Sequence, residues 1–159
     1  MPRIRVGPHI ELHYEERGSG DPLLLVMGLG AQTVHWPSGF VHALALQGFR
    51  VILFDNRDSG ASTHLDELGI PNMKTAVVRA LMGLPVTAPY DLSDMARDCV
   101  GLLDALEIEH AHVVGMSMGG MIAQTLAARH TDRVQSLVSL SSTTGERYWG
   151  KPSAMYALL

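Results

Sequence analysis

The first residues of the chain alternate between polar and apolar side chains with a period of two. Every second residue is apolar in Arg3 to Val6 and again in His9 to Glu15, as in strands that bury one face. Gly7 and Pro8 separate the two segments, and this pair favours a turn. The pattern therefore predicts an antiparallel hairpin at the start of the fold.

Four later segments are short and mostly apolar, which is typical of strands buried on both faces of a parallel sheet. They are Leu23 to Met27, Val51 to Phe54, Ala111 to Val114 and Val134 to Leu140. Strands of this kind alternate with helical patterns, so we predict the α/β class. The expected architecture is a mainly parallel sheet with flanking helices and the antiparallel hairpin at one edge.

Between these strands, apolar residues recur at steps of three and four, as on the buried face of a helix. The first such segment begins at Pro37, which suits the first position of a helix, and ends before Gly48, which suits a left-handed cap. The second follows Asp91, a good N-cap residue, and reaches Leu106. Further helices are predicted over Met118 to Arg129 and, from a weaker pattern, over Met73 to Leu84.

The composition narrows the classes of function. The chain has 159 residues, of which 47% are hydrophobic and 18% charged, and a formal net charge of -4. These values indicate a globular domain with one core, and the scattered basic residues disfavour nucleic acid and anionic membranes as partners. We therefore expect a small-molecule substrate, whereas the pattern gives no indication of an oligomeric state.

The cysteine content and the hydropathy predict a cytoplasmic protein. Cys99 is the single cysteine, and no Cys/His spacing suggests a metal site. No apolar run approaches the ~18 residues that span a bilayer. Met1 to Arg17 also lacks the apolar centre of a signal peptide. No metal or other cofactor is expected.

The strongest chemical signal is the Gly-x-Ser-x-Gly run from Gly115 to Gly119. It lies between a predicted strand and a predicted helix, the context in which such a serine forms a nucleophile elbow. Ser117 is therefore the candidate nucleophile. The N-H of Met118, at a helix N-terminus, would form half of an oxyanion hole, and the N-H of Leu29, in a glycine-rich loop after an earlier strand, the other half.

Three segments carry a resemblance: Met27-Gly28-Leu29-Gly30 followed by His35-Trp36-Pro37, Phe54 to Thr63, and Gly115 to Gly120. In this order they resemble the α/β-hydrolase fold family, over about Ile10 to Thr144. Within it the chain is similar to the esterase and lactonase branch, such as enol-lactonases and methylesterases that act on aromatic polyketides. The resemblance implies hydrolysis of carboxylic esters or lactones through an acyl-enzyme on Ser117, without a cofactor.

Two residues depart from the pattern of the family. Met27 stands where many members have histidine, and Asp58 stands where many have glycine. In the family both positions are structural. We therefore expect the oxyanion loop to be held differently here, with the nucleophile retained.

The acid and the base of a catalytic triad are missing from this chain. In the family they follow the serine, but seven of the eight histidines precede Ser117. His130 follows it at the end of the helix, roughly 18 Å away at 1.5 Å per residue. His9 and His13 are expected on a solvated hairpin face and His112 in the layers flanking the sheet. This leaves His35 as the only histidine expected near the pocket.

Carboxylates do not complete the triad either. Ser141 to Thr144 occupy the position where some relatives carry the acid, and Asp55 and Asp58 are expected to organise their own turn. We thus interpret residues 1–144 as the N-terminal part of a hydrolase core and residues 145–159 as the beginning of a truncated cap.

Two interpretations of the pocket and of the whole chain stay open. Trp36, Met116 and Met118 could line an acyl or alcohol pocket, with core packing as an equal possibility for Met116. The alternative to a hydrolase is a truncated or non-catalytic form of the fold that binds a ligand or a partner.

Overall fold

The structure, a computed structural model, describes residues 2–69, 75, 79, 82 and 88–145. These residues form six strands and three α-helices in the order β1 (Arg3–Arg5), β2 (Glu11–Arg17), β3 (Asp21–Val26), α1 (Ser38–Leu46), β4 (Phe49–Phe54), α2 (Leu92–Ala105), β5 (Ala111–Met116), α3 (Met118–Arg129) and β6 (Val134–Leu140). Single 3-10 turns occur at Thr33–His35, Asp66–Leu68 and Thr131–Arg133.

One sheet holds all six strands, in the order β1-β2-β4-β3-β5-β6. The pairs β1-β2 and β2-β4 are antiparallel, and the pairs β4-β3, β3-β5 and β5-β6 are parallel. The predicted fold class is thus confirmed, with the antiparallel hairpin at one edge of a mainly parallel sheet. The parallel strands β3, β4 and β5 end on the same side, so their following loops meet there.

Helices cover both faces of the sheet, as the alternating side chains of β3 show. Leu24 and Val26 belong to the larger core cluster, which includes the buried faces of α2 and α3. Leu23 and Leu25 belong to a second cluster on the opposite face, against α1. Both faces of β3 are therefore apolar because both are covered.

The predicted helix ends follow from local chemistry. Asp91 caps α2, where its carboxylate accepts hydrogen bonds from the N-H groups of Ser93 and Asp94 at 2.7 and 3.0 Å. Gly48 ends the segment after α1 with a φ of +88°, in the left-handed region that favours glycine. Pro37 precedes α1 as its N-cap rather than as its first residue.

Two expectations about the strands are wrong. β3 and β4 each begin two residues before the apolar run, because Asp21 and Pro22 pair with Phe49 and Arg50 whatever their polarity. His13 is only 2% exposed, because β2 lies between β1 and β4 in the sheet. The backbone N-H of His13 donates a hydrogen bond to Ser62 Oγ. The predicted solvated face applies to His9, which is exposed.

The strand β6 forms the other edge of the sheet, and most of its residues are exposed. The predicted helix Met73 to Leu84 lies largely outside the described residues, and so does the predicted cap after Gly145. Within the described part of the chain, no helix has the length and apolar character needed to cross a membrane.

Candidate active site

Ser117 forms the turn between the end of β5 and the start of α3. Its backbone has φ 55° and ψ -121°, a left-handed conformation that a residue with a side chain rarely adopts and that costs roughly 1–3 kcal/mol. The turn is fixed on both sides, because the Ser117 N-H donates to Leu140 O of β6 at 2.9 Å and the Ser117 carbonyl accepts from the N-H of Gly120 at 2.9 Å. The side chain is exposed.

The two glycines of the motif are required by close backbone approaches. A Cβ on Gly115 would lie 2.2 Å from the Gly119 carbonyl oxygen. A Cβ on Gly119 would instead lie 2.1 Å from the carbonyl oxygen of Val26 in β3. Gly119 therefore lets α3 approach the neighbouring strand, while Gly115 permits the turn itself.

The loop after β3 packs directly against the turn at Ser117. A Cβ added to Gly28 would lie 3.1 Å from Ser117 Cβ. Leu29, the next residue, and Met118, the first residue of α3, both line a cavity of about 210 Å³. The structure thus brings the two residues predicted as oxyanion donors to the wall of one cavity, which Ser117 itself does not line. The Leu29 side chain itself is 74% exposed.

Two side chains in the loop after β4 hold the loop after β3 in place through hydrogen bonds. Asn56 Nδ2 donates to the carbonyl oxygen of Met27 at 2.9 Å, and the Asp55 carboxylate accepts from the Thr33 N-H at 2.7 Å. The second oxygen of Asp55 accepts from the Ala61 N-H at 3.0 Å. Asp55 therefore organises its own turn, as expected, and also the neighbouring loop, which the sequence did not indicate.

Asp58 occupies a backbone conformation suited to glycine. Its φ is 60°, which explains in physical terms why the family pattern has glycine at this position. The Asp58 Oδ1 accepts a hydrogen bond from the Leu65 N-H at 2.6 Å. A carboxylate partly offsets the strain by satisfying a local backbone donor.

A buried ion pair joins the loop after β4 to helix α2. Arg57 Nε and Nη2 donate to the two carboxylate oxygens of Asp98 at 2.6 and 2.7 Å, and the two side chains are 10% and 8% exposed. Burial by itself would lower the pKa of Arg57, but the hydrogen bonds and charge of Asp98 outweigh it and raise that pKa. Burial raises the pKa of Asp98, and Arg57 opposes the rise.

Sequence reasoning missed this pair, although one signal was present. Asp98 lies three residues after Met95 and four before Leu102, on the apolar face of α2. A carboxylate on such a face requires a partner, and the charged residue that follows a buried strand, Arg57, is a natural choice.

Tyr90 completes this part of the site. The Arg57 guanidinium lies 5.1 Å from the centroid of the Tyr90 ring, within cation-π range. Burial, followed by a hydrogen bond to the Asp58 carboxylate, raises the pKa of Tyr90 to about 12. The phenol is therefore neutral at physiological pH.

Four of the described histidines have hydrogen-bond partners other than Ser117. His35 is exposed, and its Nδ1 accepts the Gln32 N-H at 2.9 Å, which caps a 3-10 turn. His112 Nδ1 lies 2.7 Å from Ser136 Oγ in β6. His13 Nδ1 lies 3.1 Å from Pro2 O in the hairpin, and His64 Nε2 lies 3.1 Å from Gly60 O.

The other residues suggested for the pocket divide between two places. Met118 lines the 210 Å³ cavity, whereas Met116 packs against the core cluster under α1. Trp36 is 5% exposed and stacks on Phe40 in that same region, so it lies in a different part of the fold. Among the described residues, no group of three or more His, Cys, Asp or Glu side chains could hold a metal ion.

Comparison with known families and proteins identifies the family of this fold. The family model described as alpha/beta hydrolase fold matches residues 21–155. Rhodomycin D methylesterase DauP from Streptomyces sp. (strain C5) is 36% identical over 124 residues, which are 76% of this chain and 36% of that protein. The 2-hydroxymuconate semialdehyde hydrolase of Pseudomonas sp. (strain CF600) is 32% identical, over 87% of this chain and 42% of that protein.

Solved structures give the same result. The enol-lactonase from Burkholderia xenovorans LB400 superposes with a TM-score of 0.69 at 28% identity, over 89% of this chain and 46% of that one. The chain thus spans less than half of the length of these relatives.

Proposed function

Because this chain belongs to the α/β-hydrolase fold family, we propose that it supplies the nucleophile and the oxyanion hole of a serine hydrolase of carboxylic esters or lactones. One observation carries the proposal. Ser117 adopts a strained backbone at a strand-to-helix turn and packs against Gly28 of the glycine-rich loop. Strain of this kind is kept where a side chain must be presented to a ligand.

In the proposed reaction, Ser117 Oγ attacks the substrate carbonyl carbon. The negative charge that develops on the carbonyl oxygen is stabilised by the N-H groups of Leu29 and Met118, since a helix N-terminus and unpaired backbone donors favour an anion. The alcohol leaves, an acyl-enzyme remains on Ser117, and water then releases the acid. A serine needs an adjacent base for this chemistry, which we assign to a histidine outside this chain.

The class of substrate rests on the relatives. A methylesterase and an enol-lactonase are among them, and both names describe attack on an acyl carbon bonded to oxygen. The proposal therefore specifies small esters or lactones and requires no cofactor. A cytoplasmic location stays a prediction from the sequence.

The test compares the chain with its Ser117→Ala variant on p-nitrophenyl butyrate, an activated ester. We expect slow release of p-nitrophenol that depends on Ser117, because an oxyanion hole and binding alone leave a residual acceleration without the base, together with an added butyryl mass on the peptide that contains Ser117. Ser19→Ala is the control, because it removes the hydroxyl of an exposed serine between β2 and β3 and leaves Ser117 in place. Equal rates for wild type and Ser117→Ala, without acylation, would reject catalysis by this chain.

The alternative is a form of the fold that binds a ligand without turnover. It is favoured by the described histidines, because none of their hydrogen bonds involves Ser117. The sequence that follows Leu159 in the coding frame separates the two. An Asp or Glu after a further strand, and a later histidine, are expected for the hydrolase. A stop codon there, combined with binding of an ester that is never cleaved, would support the alternative.

A further inference from the structure

The loop after β3 is attached to the loop after β4 at the carbonyl group of Met27. This oxygen accepts a hydrogen bond from Asn56 Nδ2 at 2.9 Å, and the two residues are 4% and 3% exposed. The Met27 side chain packs in the apolar cluster under α1 and offers no hydrogen-bond donor. A buried carbonyl oxygen requires a donor, and Asn56 supplies it here.

The four residues after Met27 form a turn that leaves one N-H group unpaired. The Ala31 N-H donates to the Gly28 carbonyl oxygen at 3.2 Å, which places Leu29 and Gly30 at the two central positions of the turn. Gly30 has a φ of 67°, as the second central position of such a turn requires. Among the hydrogen bonds of the described residues, none uses the Leu29 N-H, so this group keeps its capacity to donate.

The peptide group between Met27 and Gly28 is enclosed by the turn at Ser117 and by helix α3. A Cβ placed on Gly28 would lie 3.1 Å from Ser117 Cβ and 3.6 Å from Ser117 Oγ. A Cβ placed on Gly119 of α3 would lie 2.7 Å from the Met27 carbonyl oxygen. Only the two backbone dihedrals of Gly28 separate this peptide group from the next. A rotation of the peptide group would therefore redirect the Leu29 N-H.

We infer that Asn56 is a positioning residue, which fixes the Met27 carbonyl and thereby directs the Leu29 N-H toward the oxyanion that forms at Ser117. The inference rests on the proposed function, because it concerns one of the two donors assigned there. The other donor, Met118, is the first residue of α3, and its N-H is oriented by the helix. The two donors should thus respond differently to the loss of the Asn56 amide.

The experiment uses propylboronic acid, which imitates the tetrahedral intermediate of a butyryl ester. Ser117 Oγ bonds to boron, boron becomes a four-coordinate anion, and the serine proton passes to the buffer. An oxygen of this anion then accepts hydrogen bonds from the oxyanion donors. Amide NMR spectra of the isotopically labelled full chain follow the Leu29 and Met118 N-H resonances during the titration and give the dissociation constant.

We expect Asn56→Ala to raise the dissociation constant of propylboronic acid about tenfold, which is less than the loss from removing an oxyanion donor outright. The shift of the Leu29 resonance on binding should become smaller, whereas that of Met118 should be retained. The control is Ser62→Ala, which removes a buried hydroxyl from the same loop as Asn56. Because that hydroxyl donates to Asp55 O and not to the loop after β3, the dissociation constant should stay unchanged.

Asn56→Asp separates positioning from a general loss of structure. The new side chain has nearly the same shape as the amide, but a carboxyl group donates a hydrogen bond only when it is protonated. Each measurement is compared with wild type at the same pH, since formation of the boronate itself releases a proton. The deficit of this variant should shrink as the pH is lowered, because the protonated group can again donate to Met27 O.

The possible results distinguish the inference from the proposed function. Binding that is lost in Ser117→Ala but equally tight in wild type and Asn56→Ala would overturn the inference and retain the proposed function. An equal reduction of the Leu29 and Met118 shifts would also overturn it, since the effect would then be general. A wild-type chain that shows neither boronate binding nor acylation at Ser117 would reject the proposed function and the inference together.

Discussion

The loops after β3 and β4 lie side by side at the carboxyl end of the sheet, yet they are built in opposite ways. The loop after β3 contains Gly28 and Gly30 and exposes Leu29. The loop after β4 is fixed by its own side chains, from the Asp55 carboxylate to the Ser62 hydroxyl, which donates to Asp55 O at 2.5 Å.

The loop after β3, which carries the proposed oxyanion donor Leu29, is held by contacts from the loop after β4 rather than by its own side chains. Its backbone must come close to Ser117, so Gly28 has no side chain with which to anchor it. Asn56 and Asp55, in the other loop, hold it at Met27 and Thr33. The loop after β4 is thus the rigid support, and substitutions there should affect stability and the site together.

The largest effect is expected from breaking the ion pair between this support and α2. Asp98→Ala leaves Arg57 buried without its main partner, so the free energy of unfolding in urea should fall by about 3 kcal/mol or more. The double variant Arg57→Met with Asp98→Met should recover much of this loss, since no charge remains buried. A double variant as unstable as Asp98→Ala would show that packing, rather than charge, is lost.

An intermediate effect is expected at Asp55. Asp55→Ala leaves the N-H groups of Thr33 and Ala61 without their acceptor, which should cost about 2 to 3 kcal/mol in urea unfolding. Asp55→Asn keeps one acceptor oxygen and should lose about half as much. Leu29→Ala, at an exposed position of the dependent loop, should stay within about 0.5 kcal/mol. An equal loss at Leu29 and Asp55 would remove the distinction between the two loops.

The smallest effect on stability is expected from Asp58→Gly. Glycine relieves the strain at φ 60° but removes the bond to Leu65 N-H, so the two changes should cancel to within about 0.5 kcal/mol. The same change should lower the pKa of Tyr90 from about 12, which ultraviolet absorbance of tyrosinate measures. Tyr90→Phe identifies which part of the titration belongs to Tyr90, and an unchanged titration would argue against the contact.

The sign of the pH dependence follows from that raised pKa. The folded pKa of Tyr90 lies above the value of about 10 for an unfolded chain. Its contribution to stability is therefore complete below about pH 10 and is lost as the pH rises toward 12.

Much of the fold could be predicted because the hydrophobic periodicity and the residues that cap the ends of helices agree along the chain. Asp91 and Gly48 mark helix boundaries by local hydrogen bonding and backbone conformation, and the bounds of α3 and β6 coincide with the predicted ones. The starts of β3 and β4 could not be predicted in this way, since pairing with a neighbouring strand, rather than apolarity, extends them. The burial of His13 likewise depends on β4 and on Ser62, which are distant in sequence.

The sequence by itself determined the α/β architecture and the position of Ser117 between a strand and a helix, because both depend on local periodicity and on glycines at short spacing. Only the tertiary structure decided what supports and surrounds that serine. Arg57 pairs with Asp98, Asn56 donates to Met27 O, and Tyr90 lines the cavity together with Met118. Such contacts join residues tens of positions apart, and the strand order that creates them is set by packing of the whole sheet.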